Sequence, residues 1–413
     1  MNKRMDRTRL NIGAYILQDY ARTAQHIEDI AKCGIDFIVC MENDRAALDK
    51  FYQYGLGAIV TGVFPGWWGG DGDNAGTMAK TNPIESYVEA IRNFQDHPAI
   101  WGLDIGDEPS ALDFPHYGKV YRTVNGSCPN QFPYLNLYPN YASVAQNTGS
   151  QVVNQLGTAT YKEHIEAYCR NVPADYICYD FYVYSGDRTW LVKDFDNLKI
   201  VSDAARKTGK SFWFVAQVNS NRPEEHMTEN TLRFQAYSAL AFGAENLIWG
   251  CYTGGWWHNN VLDTNGNNNP EYDILQKVNH EIRGMADEYM KYRRVDTHFV
   301  GFENMTDDLA KVDIHPVKSL DLGCFMDVHA EDSQSILVGQ MVSRKNTDEQ
   351  ALLIAACDDV YDEHHQTYQI TFRADNRAVR LYNGRKPVDL ICNKDGTFSF
   401  EISSCDGVLI TAK

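Results

Sequence analysis

A chain of 413 residues with 44% hydrophobic content is long enough for one large domain and a smaller one. Its formal net charge of −17 argues against nucleic acid or an anionic membrane surface as main partner, because both would repel it. The 10 cysteines are scattered singly, without C-x-x-C or metal-like Cys/His spacing, which argues against a disulfide scaffold or a zinc site.

The N-terminus MNKRMDRTRL is charged, and neither it nor any later window approaches a transmembrane span. The expectation is a soluble protein with no membrane insertion, cytoplasmic as the sequence stands, periplasmic or secreted if a leader once preceded it. From residue 11 to about 295, short apolar strands alternate with amphipathic helices, the pattern of repeated βα units. The strand candidates are NIGAYIL, DFIVCM, GAIVTGVF, AIWGLDIG, PYLNLYP, DYICYDFYVY, SFWFVAQV and NLIWGCYT. Eight repeats suit a (β/α)8 TIM barrel, an α/β fold. A doubly wound open sheet is the alternative, but no Gly-rich phosphate loop follows the first strand.

A long helix, YDILQKVNHEIRGMADEYMKYRRV, is expected to end the barrel. Beyond it come SILVGQMVSR, ALLIAACDD, YQITFRA, AVRLYN, FSFEIS and GVLITAK, separated by turn-forming stretches, the spacing of an antiparallel β-sandwich. The division expected is a catalytic barrel over 1–295 and a structural sandwich over 296–413.

Active sites of such barrels lie at the C-terminal ends of the strands. The fourth strand ends in WGLDIGDEPS, residues 101–110. Pro109 is expected to hold Glu108 extended at the strand tip. Alternation then puts Gly102, Asp104, Gly106 and Glu108 on one face and Trp101, Leu103 and Ile105 on the other. Asp107 would face away from Glu108 unless the chain kinks at Gly106. Asp104 reads as an interior, structurally paired carboxylate. Glu108 beside Asp107 and aromatic walls suits a general acid with a raised pKa.

The other strand ends are polar and aromatic. Strand 2 ends in Glu42; the loop after strand 3, PGWWGGDGDN, carries Trp67, Trp68, Asp71 and Asp73. Strand 5 offers Asn136 and Tyr138, strand 6 Asp180 and Tyr182, strand 7 Gln217 and Asn219, and GGWWHNN after strand 8 offers Trp256, Trp257 and His258. Flat rings beside amides and carboxylates suit a sugar, whose C–H face stacks on aromatics while its hydroxyls need hydrogen-bonding groups. Asp71 and Asp73 could suggest a calcium loop, but the EF-hand glutamate is missing and turn chemistry explains the glycines and aspartates equally well. No metal or organic cofactor is implied.

With these motifs the barrel resembles the clan A glycoside hydrolases, including family 42 β-galactosidases and family 5 enzymes, through "HPAIWGLDIGDEP", "YICYDFYVY" and a following β-sandwich. The resemblance makes Glu108 the acid/base. It also calls for a nucleophilic glutamate at the end of strand 7, where "SFWFVAQVNS" has Gln217. Three readings follow. Asp180, inward by alternation with Cys178 and Tyr182, could supply the second carboxylate. The pair Asp107-Glu108 is also similar to the "GDE" strand end of family 20 hexosaminidases, which implies that Asp107 orients a 2-acetamido group acting as nucleophile. "YICYDFY" resembles the strand 6 signature of family 18 chitinase-type barrels, without their strand 4 D-x-D-x-E. Lastly, the barrel could bind sugar without cleaving it. The expected function is hydrolysis of a neutral or N-acetylated oligosaccharide or glycan, with Glu108 and Asp107 or Asp180 catalytic. Trp67, Trp68, Tyr138, Tyr182, Trp256 and Trp257 would form sugar walls, and Asn136, Gln217 and His258 would bond hydroxyls.

Overall fold

The computed structural model describes residues 4–67, 74–142, 155–185, 189–254, 257–357, 366–375 and 378–412. Eight parallel strands alternate with helices: β1 Asn11–Tyr15, α1 Ala24–Lys32, β2 Phe37–Glu42, α2 Arg45–Gln53, β3 Gly57–Thr61, α3 Met78–Thr81, α4 Ile84–Asn93 and β4 Ile100–Asp107. They continue with α5 Phe114–Ser127, β5 Phe132–Asn136, α6 Tyr161–Asn171, β6 Tyr176–Asp180, α7 Thr189–Thr208, β7 Ser211–Gln217, α8 Glu229–Ala241, β8 Ala244–Gly250 and α9 Pro270–Tyr289. The sheet order is β5-β4-β3-β2-β1-β8-β7-β6. Its two ends meet through the bridge Leu137–Tyr179, where Leu137 N donates to Cys178 O at 2.9 Å, and the sheet curls into a barrel.

Local chemistry fixes where helices begin. Thr160 and Glu163 form a reciprocal capping box at the start of α6, satisfying backbone donors that no helical carbonyl reaches. At the bottom of the barrel the Arg7 guanidinium lies 4.8 Å from the ring centroid of Phe132, 5.4 Å from Tyr176 and 5.1 Å from Trp213. Those π faces attract the cation, and Asp175 pairs with it.

The long helix stops at Tyr289, short of the expected span, and Tyr292–Val300 is a strand, β9, which pairs with the later β12 rather than with the barrel. The sequence YRRVDTHFV favours this, since its aromatic and β-branched residues are poor at extending a helix. A short helix, α10 Thr306–Ala310, precedes β10 Leu320–Leu322, β11 Phe325–Ala330, β12 Ile336–Ser343, β13 Gln350–Ala356, β14 Thr367–Ala374, β15 Val379–Tyr382, β16 Val388–Asp389, β17 Phe398–Ser403 and β18 Gly407–Ala412. They form two antiparallel sheets, β10-β11-β14-β17 and β16-β15-β18-β13-β12-β9. Between them lies a core that includes Phe325, Val338, Ile354, Ile370, Phe372 and Phe400. The opposite face of the six-stranded sheet, with Leu337, Leu353 and Leu409, joins the barrel's own core. Burial on both faces explains why β13 is an unbroken apolar run, ALLIAA, rather than an alternating one.

Candidate active site

The mouth of the barrel is built around an irregularity in β4. Asp104 pairs with Tyr134 and Gly106 with Leu135, so two steps along β4 match one along β5. This bulge resets the alternation. Asp104 and Asp107 both point into the barrel: the Cys40 thiol donates to Asp104 Oδ2 at 3.8 Å, and Asn136 Nδ2 donates to Asp107 Oδ1 at 3.1 Å. The expectation that Asp107 faces away from the site holds only for an unkinked strand, and the strand is kinked. Gly106 adopts a φ of +154°, and a Cβ there would stand 2.2 Å from the Tyr117 hydroxyl on α5. A second register shift, opposite Ala58 and Ile59, brings Trp101 over Gly57, so Trp101 leaves the regular alternation as well.

Glu108 is not extended, as its place before proline suggests. Its φ is +43°, in the left-handed region, and its N–H donates to Asn136 O at 3.0 Å. The bulge turns the chain immediately before Pro109, and this local reversal overrides the pre-proline preference. Positive φ at a non-glycine residue costs of order 1–3 kcal/mol and persists only where surrounding contacts over-determine it.

Asp180 ends β6 and faces Asp107 across the mouth. The same Asn136 Nδ2 that bonds Asp107 also donates to Asp180 Oδ1, at 2.6 Å. Asn136 and Asp180 are 3% and 5% exposed, whereas Asp107 reaches solvent between crowding walls. Burial raises the proton affinity of both carboxyls; the negative charge of Asp107 raises that of Asp180 further, and the Asn136 amide opposes both shifts. Asp104, deeper in the barrel, is pushed up to about 7 by burial and then by Asp107. Its hydrogen-bond partners include the Gly106 N–H, the Cys40 thiol and the Thr61 side chain.

The neighbouring rings arise from loops after the strands and, for Trp190, from the first turn of α7. Tyr141 packs against Phe181 at 5.2 Å and Trp190 at 4.7 Å, and its hydroxyl senses the charges of Asp180 and Glu108. Tyr182 meets Trp257 edge to face at 5.0 Å. Tyr141 and Trp190 carry no motif and are found only through the fold. Trp67 is half-buried after β3, and Tyr138 is 2% exposed with its ring 6.4 Å from that of His164. Trp68, Asp71, Asp73 and Trp256 lie outside the described residues.

Gln217 is fully buried, and its amide joins two loops: Oε1 accepts from Tyr184 N at 3.0 Å and Nε2 donates to Asn219 O at 2.8 Å. Asn219 continues the brace, donating to Cys251 O and accepting from Cys251 N. The His258 backbone exchanges two hydrogen bonds with Ser220 while the residue itself is exposed. Glu42 is exposed and paired with Arg22 at 3.0 Å. Among the described residues no group of His, Cys, Asp and Glu is arranged to hold a metal ion, and no helix is long and apolar enough to cross a membrane.

The fold and this mouth define a (β/α)8 barrel bearing a carboxylate cluster at the C-terminal ends of its strands, followed by a β-sandwich. No family model matches the chain, and no curated protein matches it in sequence. Solved structures with a similar fold include a glucosidase from Croceicoccus marinus, 10% identical, covering 98% of this chain and 96% of that one at a TM-score of 0.46. Another is the Pseudomonas stutzeri endoglucanase Cel5A in complex with cellobiose, 15% identical, covering 65% of this chain and 92% of that one at 0.42. A GH128 endo-β-1,3-glucanase from Sorangium cellulosum is 13% identical, covering 65% and 98% at 0.41. At these identities the likeness is one of fold alone.

Proposed function

We propose that the protein is a glycoside hydrolase acting on a neutral or N-acetylated glycan, with Glu108 as general acid and Asp180 or Asp107 as the second carboxyl group. The observation that carries this reading is the pair Asp107 and Asp180 on one buried amide, at the strand ends where barrel enzymes do their chemistry. The two bonded oxygens stand no farther apart than 3.1 Å and 2.6 Å laid end to end. Tyr141, Tyr182 and Trp257 supply apolar surface for a sugar face, and Trp67 extends it. Asn136, with both amide bonds committed to carboxylates, acts on substrate through them. Gln217, closed to solvent, braces the rim, and His258 is free to meet a hydroxyl.

Two routes use this cluster. In one, Asp180 attacks the anomeric carbon while Glu108 protonates the leaving oxygen. In the other, Asp107 orients a 2-acetamido group that attacks in its place. Screening aryl glycosides, with and without 2-acetamido groups, tests the proposal: wild type turns one over, Glu108→Gln loses at least about 100-fold, and Asp180→Asn or Asp107→Asn selects the route. Full activity in all three variants overturns the assignment. A second reading, a barrel that binds sugar without cleaving it, is favoured by one observation: the end of β7 carries an amide rather than a carboxylate. Binding without turnover across the panel supports that reading.

A further inference from the structure

An amide nitrogen carries two protons, and Asn136 Nδ2 gives one bond each to Asp107 and Asp180. Its carbonyl oxygen is buried and has no hydrogen-bond partner among the described residues, so the two carboxylates alone dictate which way the amide points. We propose that Asn136 is the positioning residue of this site, holding Asp107 and Asp180 as one coupled pair in which ionisation of either suppresses ionisation of the other. The catalytic meaning of this role rests on the glycosidase reading, but the coupling itself does not.

The backbone reinforces the arrangement. Asn136 O accepts from Glu108 N at 3.0 Å, so one residue on β5 fixes the left-handed turn at Glu108 and both flanking carboxyls. Tyr15 of β1, Cys40 of β2 and Cys178 of β6 face the pair from below, and Tyr141, Tyr182 and Cys251 face it from beyond the strand ends. Burial keeps these phenols and thiols un-ionised at neutral pH. Among the described residues the further charges at the mouth include Asp104 and Glu108, both of β4 or its tip, and carboxylates cannot neutralise the pair. Asn136 is therefore the shared donor that allows one negative charge to persist in a crowded acidic mouth.

The test reads the carboxyls directly. Protein labelled with 13C at the aspartate carboxyl is titrated by NMR as wild type, Asp107→Asn, Asp180→Asn and Asn136→Leu, the two asparagine variants assigning the signals. In Asp107→Asn the Asp180 midpoint moves down by about one pH unit or more, because a negative neighbour is gone. In Asn136→Leu both midpoints move up by about one pH unit, because the charged forms lose their donor. Midpoints that stay in place in either variant overturn the proposal. If Asn136→Leu does not fold, Asn136→Ser, which also withdraws the shared amide donor, takes its place in the titration. No substrate is needed, so the coupling can fail while the chain hydrolyses glycosides, or stand while it does not.

Discussion

Gln217 and Asp194 make opposite use of burial. Rebuilding the carboxylate of a clan A nucleophile by Gln217→Glu places an acceptor against Asn219 O, where the native amide donates at 2.8 Å. The expected outcome is a loss of about 2–4 kcal/mol in urea unfolding and no gain in turnover, since leaving buried partners unsatisfied costs about 1–3 kcal/mol each. A stable, more active Gln217→Glu protein contradicts the bracing role. Asp194 on α7 is 1% exposed, neither oxygen has a partner among the described residues, and burial pushes its carboxyl up to about 8. From about pH 4 to about pH 8 the folded chain keeps a proton that the unfolded chain releases. Stability therefore falls as pH rises through that window, by up to about 1.4 kcal/mol for each unit. Thermal melts between pH 5 and 8 should show a shallower fall in Asp194→Asn than in wild type; parallel curves show that Asp194 does not hold the proton. The composition of the mouth is legible in the sequence because strand ends announce their residues. Which side chains turn inward is not, since Asp107 and Glu108 obey a bulge rather than alternation.

β4 shows what decides such cases at the scale of an element. Gly106 inside a strand is itself a signal for a bulge or a close backbone approach, yet its neighbour Tyr117 comes from the following helix and is identified only after folding. In Gly106→Ala the new Cβ meets the buried Tyr117 hydroxyl. The variant should lose about 1–3 kcal/mol in denaturant unfolding. Adding Tyr117→Phe, which removes the 2.2 Å contact and leaves ring carbons at 3.0 Å, should restore part of that loss. Strictly additive losses show that backbone strain, not the collision, sets the cost. β9 is the converse case: its helix-like neighbours hide a strand that only the distant β12 makes visible.

At the scale of the molecule, the sandwich and barrel share apolar surface. Helix α8 is buried along Asn230–Leu232 and Phe234–Ala241, facing barrel strands on one side and the six-stranded sheet on the other. The contact is close: a Cβ at Gly339 would stand 2.4 Å from Ala241 O, and one at Gly407 2.2 Å from the Tyr237 ring. We expect a chain ended at residue 291, before β9, to aggregate or to bind a hydrophobic dye, because the second face of α8 is left in water. A soluble barrel of wild-type melting temperature shows that the sheet is dispensable. The two-part order of sheets is readable from the switch in strand spacing, whereas β10 is only three residues long and β11, which it pairs with, finds its other partner, β14, far along the chain.

The cation under the barrel has a consequence for how the chain assembles. Arg7 touches rings from β5, β6 and β7, so its seat exists only once these three strands lie side by side and the N-terminal segment reaches them. Contacts of such sequence separation form slowly because loop-closure entropy must be overcome before they contribute. Sealing of the floor is thus expected to come late in folding, and the fluorescence of Trp213, stacked 4.4 Å from Tyr176 beside that guanidinium, is the signal that would time it.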